Sequence, residues 1–423
     1  MDVKILPARL HGSIGAIPSK SQAHRALICA ALADRPTRIA CQGASEDIAA
    51  TVDCLTALGA RIQHETGGYI VRPLQQAGQN GEVSLPCRES GSTFRFLLPI
   101  VGALSQKAAF TPQGRLPKRP LSPLYEELVS HGCTLSPPGS VPFQVAGQLS
   151  AGRYSLDAGV SSQFISGLLF ALPLLAGKSE IHLTGWAESV PYIELTTAML
   201  AAFGLQLGFD GKVFTIPGQQ QYRSPTTVEV EGDWSNAAFW LCAGAIGAGS
   251  ITCTGLDSCS RQGDRTIVEI LQRLGARLEM DGDRITASGG ELQGAEIDAR
   301  DIPDLVPILA VAGATATGAT VIRNASRLRA KESDRLAAIT AVLRGLGAQV
   351  NEQEDSLRIQ GGRLNGGEVS AWGDHRIAMA ATIAATVCAE PVTIRDAEAI
   401  NKSYPGFFAD LQQLGGSMQI VET

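Results

Sequence analysis

One short sequence phrase recurs six times along this chain, and each copy contains a glycine. It reads roughly Leu-x-x-Leu/Phe-Gly-Ala, with an apolar residue two places further on. The glycines follow one another at intervals of 68 to 73 residues: Gly59, Gly132, Gly204, Gly275, Gly347 and Gly415. A period near 70 residues that holds six times indicates that one structural unit was copied. The polar residues around the copies differ, which favours several repeats contributing to one asymmetric site.

Each repeat is predicted to contain two helices. The glycine of the phrase is typical of a helix stop, and the alternation that follows it starts a strand. The other helix is rich in Ala and Leu and opens with polar residues. Its six copies are Ser21–Ala33, Ser92–Leu104, Ser162–Ala176, Ser235–Ile246, Asp304–Ala314 and Asp374–Val387. With about four short strands added, the repeat reads β-α-β-α-β-β, an α/β (α+β) arrangement.

The length of 423 residues predicts two domains of three repeats each. The polar stretch Gln219–Pro225 lies between the third and fourth repeats and is the candidate linker. We therefore expect the domain boundary near residues 224–228.

Composition excludes several classes of protein. Hydrophobic residues make up 44% of the chain and aromatic residues only 5%, so the cores must be built from small aliphatic side chains. A net charge of −6 argues against a nucleic-acid-binding surface. Apolar stretches such as Phe164–Ala176 are too short to span a bilayer, and the N-terminus lacks the apolar core of a signal peptide. The nine scattered cysteines indicate reduced thiols in a cytosolic protein.

Cationic residues are concentrated at the predicted helix starts, where they oppose the positive end of the helix dipole. They are Lys20, Arg25, Arg95, Arg119, Lys331, Arg335 and Arg376. This placement makes sense if an anion binds at those termini. It therefore predicts small, multiply charged anionic ligands, although each Ser, Thr or Asp nearby also fits a helix cap.

Two carboxylates among these cations are candidates for proton transfer. Asp304 follows Ile302-Pro303 at a helix start, and an ordinary N-cap is the alternative. Glu332 lies between Lys331 and Arg335, and a capping or ion-pair role is the alternative.

Two arginines, Arg265 and Arg335, each follow an Asp in equivalent positions of two repeats. Only the surroundings of each arginine can separate a structural role from a functional one.

Taken together, eight motifs resemble the 5-enolpyruvylshikimate-3-phosphate synthase family. They run in order from about residue 13 to 408: Ser19-Lys20-Ser21-Gln22-Ala23-His24-Arg25, Ser90-Gly91-Ser92-Thr93-Phe94-Arg95, Lys118-Arg119-Pro120-Leu121, Ser161-Ser162-Gln163-Phe164, Ile302-Pro303-Asp304, Lys331-Glu332-Ser333-Asp334-Arg335, Gly373-Asp374-His375-Arg376-Ile377-Ala378-Met379 and Asn401-Lys402-Ser403-Tyr404-Pro405. The resemblance implies a two-domain enolpyruvyl transferase fold, with three β-α-β-α-β-β units around a pseudo-threefold axis in each domain. The expected domains are 13–225 and 1–12 with 226–423, and the active site is expected in the cleft between them.

The resemblance also implies the reaction. The enolpyruvyl group of phosphoenolpyruvate moves to the 5-hydroxyl of shikimate 3-phosphate by addition and elimination, and phosphate is released. No metal or organic cofactor is implied, and neither is a nucleic-acid or membrane partner. The family precedent is a monomeric, cytoplasmic enzyme that glyphosate inhibits in competition with phosphoenolpyruvate.

The resemblance implies a role for individual residues. Those expected to bind shikimate 3-phosphate are Lys20, Ser21, Arg25, Ser161, Ser162, Gln163, Ser189, Asp304 and Lys331. Those expected to bind phosphoenolpyruvate are Lys20, Gly91, Arg119, Gln163, Arg335, Arg376 and Lys402. Asp304 would take the hydroxyl proton, Glu332 with Lys20 would move protons at C3, and His375 would support the phosphate or Glu332. Arg95 is expected to order the Gly91 loop rather than to contact substrate.

The chain departs from the family pattern at three positions where Asn is common. Glu89 puts a carboxylate near the phosphoenolpyruvate loop, Arg327 replaces an expected substrate contact, and His24 is expected to have little effect.

Two rival functions are compatible with the repeat architecture. The sister enzyme that transfers enolpyruvyl to UDP-N-acetylglucosamine usually has Cys or Asp in the second-repeat loop and a Lys-Asn pair near the start. Here Thr111–Pro120 has neither residue, and Ser21 follows Lys20. A repeat scaffold for protein partners would repeat its surface chemistry, whereas the polar residues here vary between repeats.

Overall fold

The computed structural model describes residues 1–43, 45–75, 81–185 and 188–421. The α-helices in this part of the chain are α1 Lys20–Leu32, α2 Glu46–Ala57, α3 Gly91–Ala103, α4 Leu124–Ser130, α5 Ser162–Ala171, α6 Val190–Ala202, α7 Trp234–Ile246, α8 Ile267–Leu274, α9 Val306–Thr315, α10 Arg335–Gly345, α11 His375–Thr386 and α12 Phe407–Gln413. Short 3₁₀ helices cover Leu116–Lys118, Leu172–Leu174, Gly263–Thr266, Pro303–Leu305, Ser326–Ala330 and Ala397–Lys402.

The strands are short and alternate with these helices. They are β1 Asp2–Leu6, β2 Gly12–Gly15, β3 Thr37–Ala40, β4 Arg61–Glu65, β5 Gly68–Arg72, β6 Val83–Arg88, β7 Ala108–Pro112, β8 Cys133–Leu135, β9 Phe143–Gly147, β10 Arg153–Asp157, β11 Ser179–Thr184, β12 Gly208–Phe209, β13 Val213–Ile216, β14 Thr227–Glu229, β15 Ser250–Thr254, β16 Arg277–Asp281, β17 Arg284–Ser288, β18 Glu296–Asp298, β19 Ala319–Arg323, β20 Gln349–Glu352, β21 Leu357–Gln360, β22 Gly367–Ser370, β23 Val392–Arg395 and β24 Ser417–Val421.

The described strands form six four-stranded sheets of one design. Their orders are β14-β3-β5-β4, β6-β7-β9-β8, β10-β11-β13-β12, β2-β15-β17-β16, β18-β19-β21-β20 and β22-β23-β1-β24. The first two strands of each order are parallel and the other pairs are antiparallel. The second, third and fifth repeats run β-α-β-α-β-β without interruption, so the predicted mixed α/β repeat is confirmed.

The other three repeats borrow one strand each from a distant part of the chain. Strand β14 completes the first repeat, β2 completes the fourth, and β1 is the third strand of the sixth.

The chain folds into two compact units. The N-terminal unit is Lys20–Val230, and the C-terminal unit is Met1–Ser19 together with Glu231–Thr423. The boundaries predicted from the sequence, after residues 12 and 225, lie several residues earlier. Both differences come from borrowed strands, because β2 pairs within the C-terminal unit and β14 within the N-terminal unit.

The six repeated glycines end helices as predicted. Gly59, Gly132, Gly204, Gly275, Gly347 and Gly415 all have φ between 79° and 108°. A side chain disfavours this left-handed backbone, so glycine is the residue that lets the chain leave the helix and start a strand.

Two predicted helix bounds are wrong, and proline explains both. Helix α5 ends at Ala171, and the 3₁₀ turn Leu172–Leu174 follows, because Pro173 has no N–H to continue the helix. Helix α9 begins at Val306 rather than at Asp304. The 3₁₀ turn Pro303–Leu305 precedes it, and Pro307 cannot donate a helical hydrogen bond back to Pro303.

The Ala-rich helices lie inside their units. Every described residue of α11 is buried, and so are Trp234–Ala245 of α7 and Val306–Ala314 of α9. A helix that is apolar all round is a core helix, so only its ends are available for polar chemistry. The repeat architecture therefore restricts functional side chains to the helix ends and to the loops beside them.

Candidate active site

Arg335 is the centre of a charged cluster in the C-terminal unit. Its side chain is 2% exposed. Nε donates to Asp374 Oδ2 at 2.8 Å, Nη1 donates to Asp304 Oδ1 at 2.8 Å, and Nη2 donates to Glu332 Oε2 at 2.7 Å. One guanidinium group thus gathers three carboxylates from the fifth and sixth repeats.

Asp304 is shared between two arginines. Arg376 Nη2 donates to Asp304 Oδ2 at 3.0 Å, and Arg376 Nη1 donates to the carbonyl oxygen of Ser235 at 3.2 Å, which adds the fourth repeat to the cluster. Asp304 is the N-cap of neither the 3₁₀ turn nor α9, because those caps are Ile302 and Leu305. The N-cap alternative for Asp304 is therefore wrong, whereas Glu332 makes the ion pair that its alternative predicted.

The pKa values of Asp304 and Lys331 are both lowered in this cluster, for different reasons. Burial acts to raise the pKa of Asp304, but the positive charges of Arg376, Lys331 and Arg335 outweigh it and hold the pKa well below its ordinary value. Burial lowers the pKa of Lys331 to about 8, although Asp304 acts in the opposite direction. Asp304 is therefore ionised at neutral pH, and Lys331 titrates just above neutrality.

His375 is the first residue of α11, and Lys402 contacts the residue before the cap of that helix. His375 is buried, with Nδ1 3.8 Å from Asp374 Oδ1. Lys402 ends the 3₁₀ helix Ala397–Lys402, and its Nζ donates to the carbonyl oxygen of Gly373 at 2.8 Å. Both predicted residues are thus beside Asp374, which caps α11 and also binds Arg335.

In the N-terminal unit, Arg25 is a buried cation among neutral groups. It is 3% exposed, and Nε donates to Thr196 Oγ1 at 2.8 Å. Its terminal nitrogens donate to the carbonyl oxygens of Ser21 and Tyr192 at 2.5 and 2.8 Å. Burial lowers the pKa of Arg25 to about 10, because these partners do not neutralise its charge. An anionic ligand would supply the missing negative charge.

Lys20 begins α1 and pairs with a residue that the sequence analysis did not select. Its Nζ lies 2.8 Å from Asp47 Oδ2, and both side chains are mostly buried. Asp47 escaped notice because an acidic residue in the first turn of a helix is ordinary. The pairing shows that Asp47 positions the ammonium group of Lys20.

Gln163 connects the starts of two helices to the loop that carries Arg119. Its Nε2 donates to Ser92 Oγ at 3.0 Å, and its Oε1 accepts from Arg95 Nη1 at 2.8 Å. Arg95 Nη2 also donates to the carbonyl oxygen of Pro120 at 2.8 Å. Arg95 therefore holds Gln163 and the segment after Arg119, while its expected role in ordering the Gly91 loop stays a prediction.

Gly91 lies directly against Arg119. A Cβ atom at Gly91 would be 2.8 Å from Arg119 Nη1, so the guanidinium group occupies the space that a side chain would fill. Glu89 directly follows β6, and its side chain reaches the turn before Arg119, where Oε1 accepts from the backbone N–H of Arg115 at 3.3 Å. The unusual carboxylate at residue 89 thus contacts the loop of Arg119.

The predicted serines have different local roles. Ser161 caps α5 and accepts from the backbone N–H of Gln163 at 3.3 Å, and Ser162 is the buried first residue of that helix. Ser189 precedes α6 with φ at 56° and makes no side-chain cap bond. Its hydroxyl is therefore not used as a cap.

The premise that the cations stand at helix N-termini is only partly right. Lys20, Arg335 and Arg376 lie in the first turn of an α-helix, whereas Arg25 and Arg95 lie in the second. The other two, Arg119 and Lys331, directly follow 3₁₀ helices. Hydrogen-bonded partners therefore hold these cations in place, and the helix dipole acts on only some of them.

The two remaining departures from the family pattern are Arg327 and His24. Arg327 donates from Nη2 to the carbonyl oxygen of Arg300, and its charge contributes to lowering the pKa of Lys331. His24 is buried and bonds Thr51 Oγ1 at 2.7 Å, and Thr51 in turn bonds Thr93 Oγ1 at 2.6 Å. His24 therefore links α1 to α2 and α3.

The described cysteines and metal-ligating side chains do not form a second class of site. All nine cysteines are free, and eight of them are buried. Burial raises the pKa of Cys41 and Cys133 to about 11, which does not suit a nucleophile. In residues 1–43, 45–75, 81–185 and 188–421, no group of three or more His, Cys, Asp or Glu is arranged to hold a metal ion. No helix in the same part of the chain is both long and apolar enough to cross a membrane.

Comparison with known sequences points to one family. A sequence model described as EPSP synthase (3-phosphoshikimate 1-carboxyvinyltransferase) matches residues 6–411. A 3-phosphoshikimate 1-carboxyvinyltransferase of Clostridium kluyveri is 44% identical over 422 residues, which is 98% of each chain. The enzyme of the same name from Clostridium perfringens is 42% identical over 421 residues, or 99% of each chain.

Solved structures agree with the fold. The EPSP synthase of Acinetobacter baumannii matches with a TM-score of 0.81 and 25% identity over 100% of both chains. The enolpyruvyl transferase NikO of Streptomyces tendae matches with a TM-score of 0.80 at 19% identity, over 99% of this chain and 98% of its own. The second match supports the fold alone. The predicted enolpyruvyl transferase fold is confirmed.

Proposed function

This chain belongs to the EPSP synthase (3-phosphoshikimate 1-carboxyvinyltransferase) family, and we propose that the enolpyruvyl transfer of that family is carried out here by the candidate site residues of its two units. The reaction moves the enolpyruvyl group of phosphoenolpyruvate to the 5-hydroxyl of shikimate 3-phosphate and releases phosphate. The rival acceptor, UDP-N-acetylglucosamine, is not favoured by the relatives.

One observation carries the proposal for the chemistry, namely that Asp304 and Glu332 share the guanidinium group of Arg335. Addition and elimination require one group that takes the hydroxyl proton and another that exchanges a proton at C3 of phosphoenolpyruvate. Two carboxylates on one cation provide two such groups within a single cluster. We assign the hydroxyl proton to Asp304 and the C3 proton to Glu332 acting with Lys20.

Phosphoenolpyruvate carries a carboxylate and a phosphate, and several cations suit it. Arg335 and Arg376 already hold a carboxylate, that of Asp304, in a geometry that a ligand carboxylate can adopt. Further phosphoenolpyruvate ligands are proposed to be Lys20, Gly91, Arg119, Gln163 and Lys402. His375 is proposed to support the phosphate or Glu332 from its buried position beside Asp374.

Shikimate 3-phosphate is proposed to bind through a second set of residues. Its members are Lys20, Ser21, Arg25, Ser161, Ser162, Gln163, Ser189, Asp304 and Lys331. The buried charge of Arg25 supports this choice, because its partners are hydroxyl and carbonyl groups that leave the charge uncompensated.

The ion pairs impose an order on the chemistry. An Asp304 carboxylate bonded on both oxygens to arginines is a weak base, since those bonds stabilise its ionised form. A ligand carboxylate that takes over Arg335 and Arg376 releases Asp304 and raises its pKa. Phosphoenolpyruvate binding is thus expected to activate the base that removes the hydroxyl proton.

The test is phosphate release from phosphoenolpyruvate, measured with shikimate 3-phosphate and with UDP-N-acetylglucosamine in parallel. We expect release with shikimate 3-phosphate alone, and we expect Asp304→Ala to abolish it. Asp281→Ala, an exposed aspartate of edge strand β16 in the same unit, is the matched control and should retain activity. Release with the nucleotide sugar alone would overturn the substrate assignment, and release with neither acceptor would overturn the function.

Glu332 has its own assay. Phosphoenolpyruvate incubated with enzyme and shikimate 3-phosphate in deuterated water should gain deuterium at C3, and Glu332→Gln should slow this exchange. Unchanged exchange in the variant would assign the C3 proton to a different group.

Three further properties are part of the proposal. The family resemblance implies a monomer and competitive inhibition by glyphosate, which light scattering and inhibition kinetics would test. The buried, unpaired cysteines support a reducing, cytoplasmic location.

A further inference from the structure

Asp264 is a buried carboxyl beside the proposed phosphoenolpyruvate site that the sequence analysis passed over. It lies in the 3₁₀ helix Gly263–Thr266 and is 2% exposed. The hydroxyl of Ser235, at the start of α7, donates to its Oδ2. The preceding residue, Gln262, fixes this segment to α7, because its Oε1 accepts from the backbone N–H of Trp234 at 3.2 Å.

The fourth and fifth repeats bury different members of the same Asp-Arg pair. Asp264-Arg265 and Asp334-Arg335 occupy equivalent positions in the fourth and fifth repeats. In the fifth repeat the aspartate caps α10 and the arginine is buried in the cluster. In the fourth repeat the roles are reversed, since Asp264 is buried while Arg265 turns to the carbonyl oxygen of Ser258. The same frame thus supplies a cation from one repeat and an acid from the other.

Ser235 connects Asp264 to Arg376. Its hydroxyl donates to the carboxyl of Asp264, and its carbonyl oxygen accepts from Arg376 Nη1 at 3.2 Å. The charged groups that act on Asp264 are Asp304 from the turn before α9, Arg376 from α11 and Asp233 from the cap of α7. Arg376 therefore has Asp304 bonded to it and Asp264 close by.

The protonation of Asp264 changes near neutral pH. Burial raises its pKa to about 7, and the negative charge of Asp304 adds to this, whereas Arg376 and the hydrogen bond from Ser235 act to lower it. Below this pH the group is a neutral acid and leaves the charge of Arg376 available to a ligand. Above it, a second carboxylate offsets that charge.

We propose that Asp264 is a positioning residue for Arg376 that must carry a proton when the carboxylate of phosphoenolpyruvate binds. This inference rests on the proposed function, because it takes Arg376 as a ligand of phosphoenolpyruvate. Ionised Asp264 repels the incoming carboxylate and competes for Arg376, so binding of phosphoenolpyruvate and protonation of Asp264 favour each other. At saturating phosphoenolpyruvate Asp264 already carries its proton, so kcat/KM for shikimate 3-phosphate does not report this titration.

The experiment compares the wild type with Asp264→Asn, which keeps a neutral group of similar shape beside Ser235. We would measure kcat/KM for phosphoenolpyruvate from pH 6 to 8.5 at saturating shikimate 3-phosphate. The ratio of variant to wild type should rise about tenfold between pH 6 and pH 8, because only the wild type has the titrating group. Titration of phosphoenolpyruvate itself is common to both enzymes and cancels in the ratio.

Two controls separate this role from a structural one. Asp410 is a carboxyl of the same unit that is bonded to Tyr404 and lies outside the proposed site. The ratio of kcat/KM for phosphoenolpyruvate in Asp410→Asn to that in the wild type should not change with pH. The kcat/KM for shikimate 3-phosphate should keep the same pH profile in Asp264→Asn as in the wild type.

Should Asp264→Asn fail to fold, Ser235→Ala provides the test. Loss of the hydrogen bond from the Ser235 hydroxyl raises the pKa of Asp264. The decline of kcat/KM for phosphoenolpyruvate should therefore move to higher pH than in the wild type.

Parallel profiles of phosphoenolpyruvate kcat/KM for wild type and Asp264→Asn would overturn the inference, and so would an unshifted profile in Ser235→Ala. Both outcomes presuppose an active wild type. They therefore differ from failure of the proposed function, in which the wild type would release no phosphate with shikimate 3-phosphate.

Discussion

Arg376 donates a hydrogen bond from Nη2 to Oδ2 of Asp304 across 3.0 Å, while Arg335 holds the other oxygen of the same carboxylate at 2.8 Å. Asp304 thus occupies both arginines that we assign to the carboxylate of phosphoenolpyruvate. A base and a ligand that compete for the same cations cannot both be bound there. Substitution of Asp304 should therefore affect catalysis and binding in opposite directions.

We predict that Asp304→Asn lowers kcat about 10²- to 10⁴-fold, the usual effect of losing a general base. Phosphoenolpyruvate should bind at least as tightly as to the wild type, because the competing carboxylate is gone. Single-turnover rates and calorimetric titration, both with shikimate 3-phosphate present, would measure the two effects. Asp281→Asn is the surface control. Binding more than tenfold weaker in Asp304→Asn would show that Asp304 organises the arginines instead of competing for them.

Lys331 should give shikimate 3-phosphate binding a pH dependence of its own. Burial lowers its pKa to about 8, so its positive charge is present below that pH and is lost as pH rises through it. We predict that kcat/KM for shikimate 3-phosphate falls above pH 8, approaching about tenfold per pH unit.

The matched variant for this prediction is Lys331→Arg, because arginine stays charged at pH 9 and should flatten the decline. Lys178→Arg changes an exposed lysine that pairs with Glu180, and it should leave the profile as in the wild type. An equally steep decline in Lys331→Arg would assign the titration to another group.

The helix stops could be predicted from sequence because their cause is local. Gly275 and its five counterparts are needed at a positive φ, which is a requirement of the residue itself. The borrowed strands could not be predicted in the same way. Strand β2 has four residues and pairs with β15, more than 230 residues away, and four residues show no pattern that identifies a partner.

The site shows the same division between local and distant information. Motifs such as Asp374-His375-Arg376 could be recognised from sequence as candidate functional residues, because each motif is contiguous. The ion pairs between residues of different motifs depend on which repeats face each other. The bonds from Arg335 to Asp304 and Asp374 are therefore visible only in the three-dimensional structure. Asp47 and Asp264 were missed for this reason, since each is ordinary in its own segment and acts through a distant partner.

The repeated glycines lead to a stability prediction. Alanine at Gly275 would need φ at 104°, and its Cβ would lie 2.7 Å from the carbonyl oxygen of Glu291. Backbone strain and this contact together should lower the free energy of unfolding by about 3 kcal/mol. Gly255→Ala is the matched control, with φ at 78° and open space around the Cβ, and should cost about 1 kcal/mol. Equal urea midpoints for the two variants would show that the contact with Glu291 relaxes freely.

Gly91 leads to a prediction about binding with little effect on stability. Its Cβ in an alanine variant would lie 2.8 Å from Arg119 Nη1, the flexible end of a side chain, so the guanidinium group must move while the backbone need not. Loss of one charge-assisted hydrogen bond from Arg119 to phosphoenolpyruvate costs about 1.5 kcal/mol of binding free energy. This corresponds to about a tenfold higher KM for phosphoenolpyruvate. The KM for shikimate 3-phosphate and the melting temperature should change little. Gly362→Ala, where a Cβ meets nothing within 4 Å, is the control and should match the wild type in all three measurements. If Gly91→Ala keeps the wild-type KM for phosphoenolpyruvate, the position of Arg119 against Gly91 does not determine how that substrate binds.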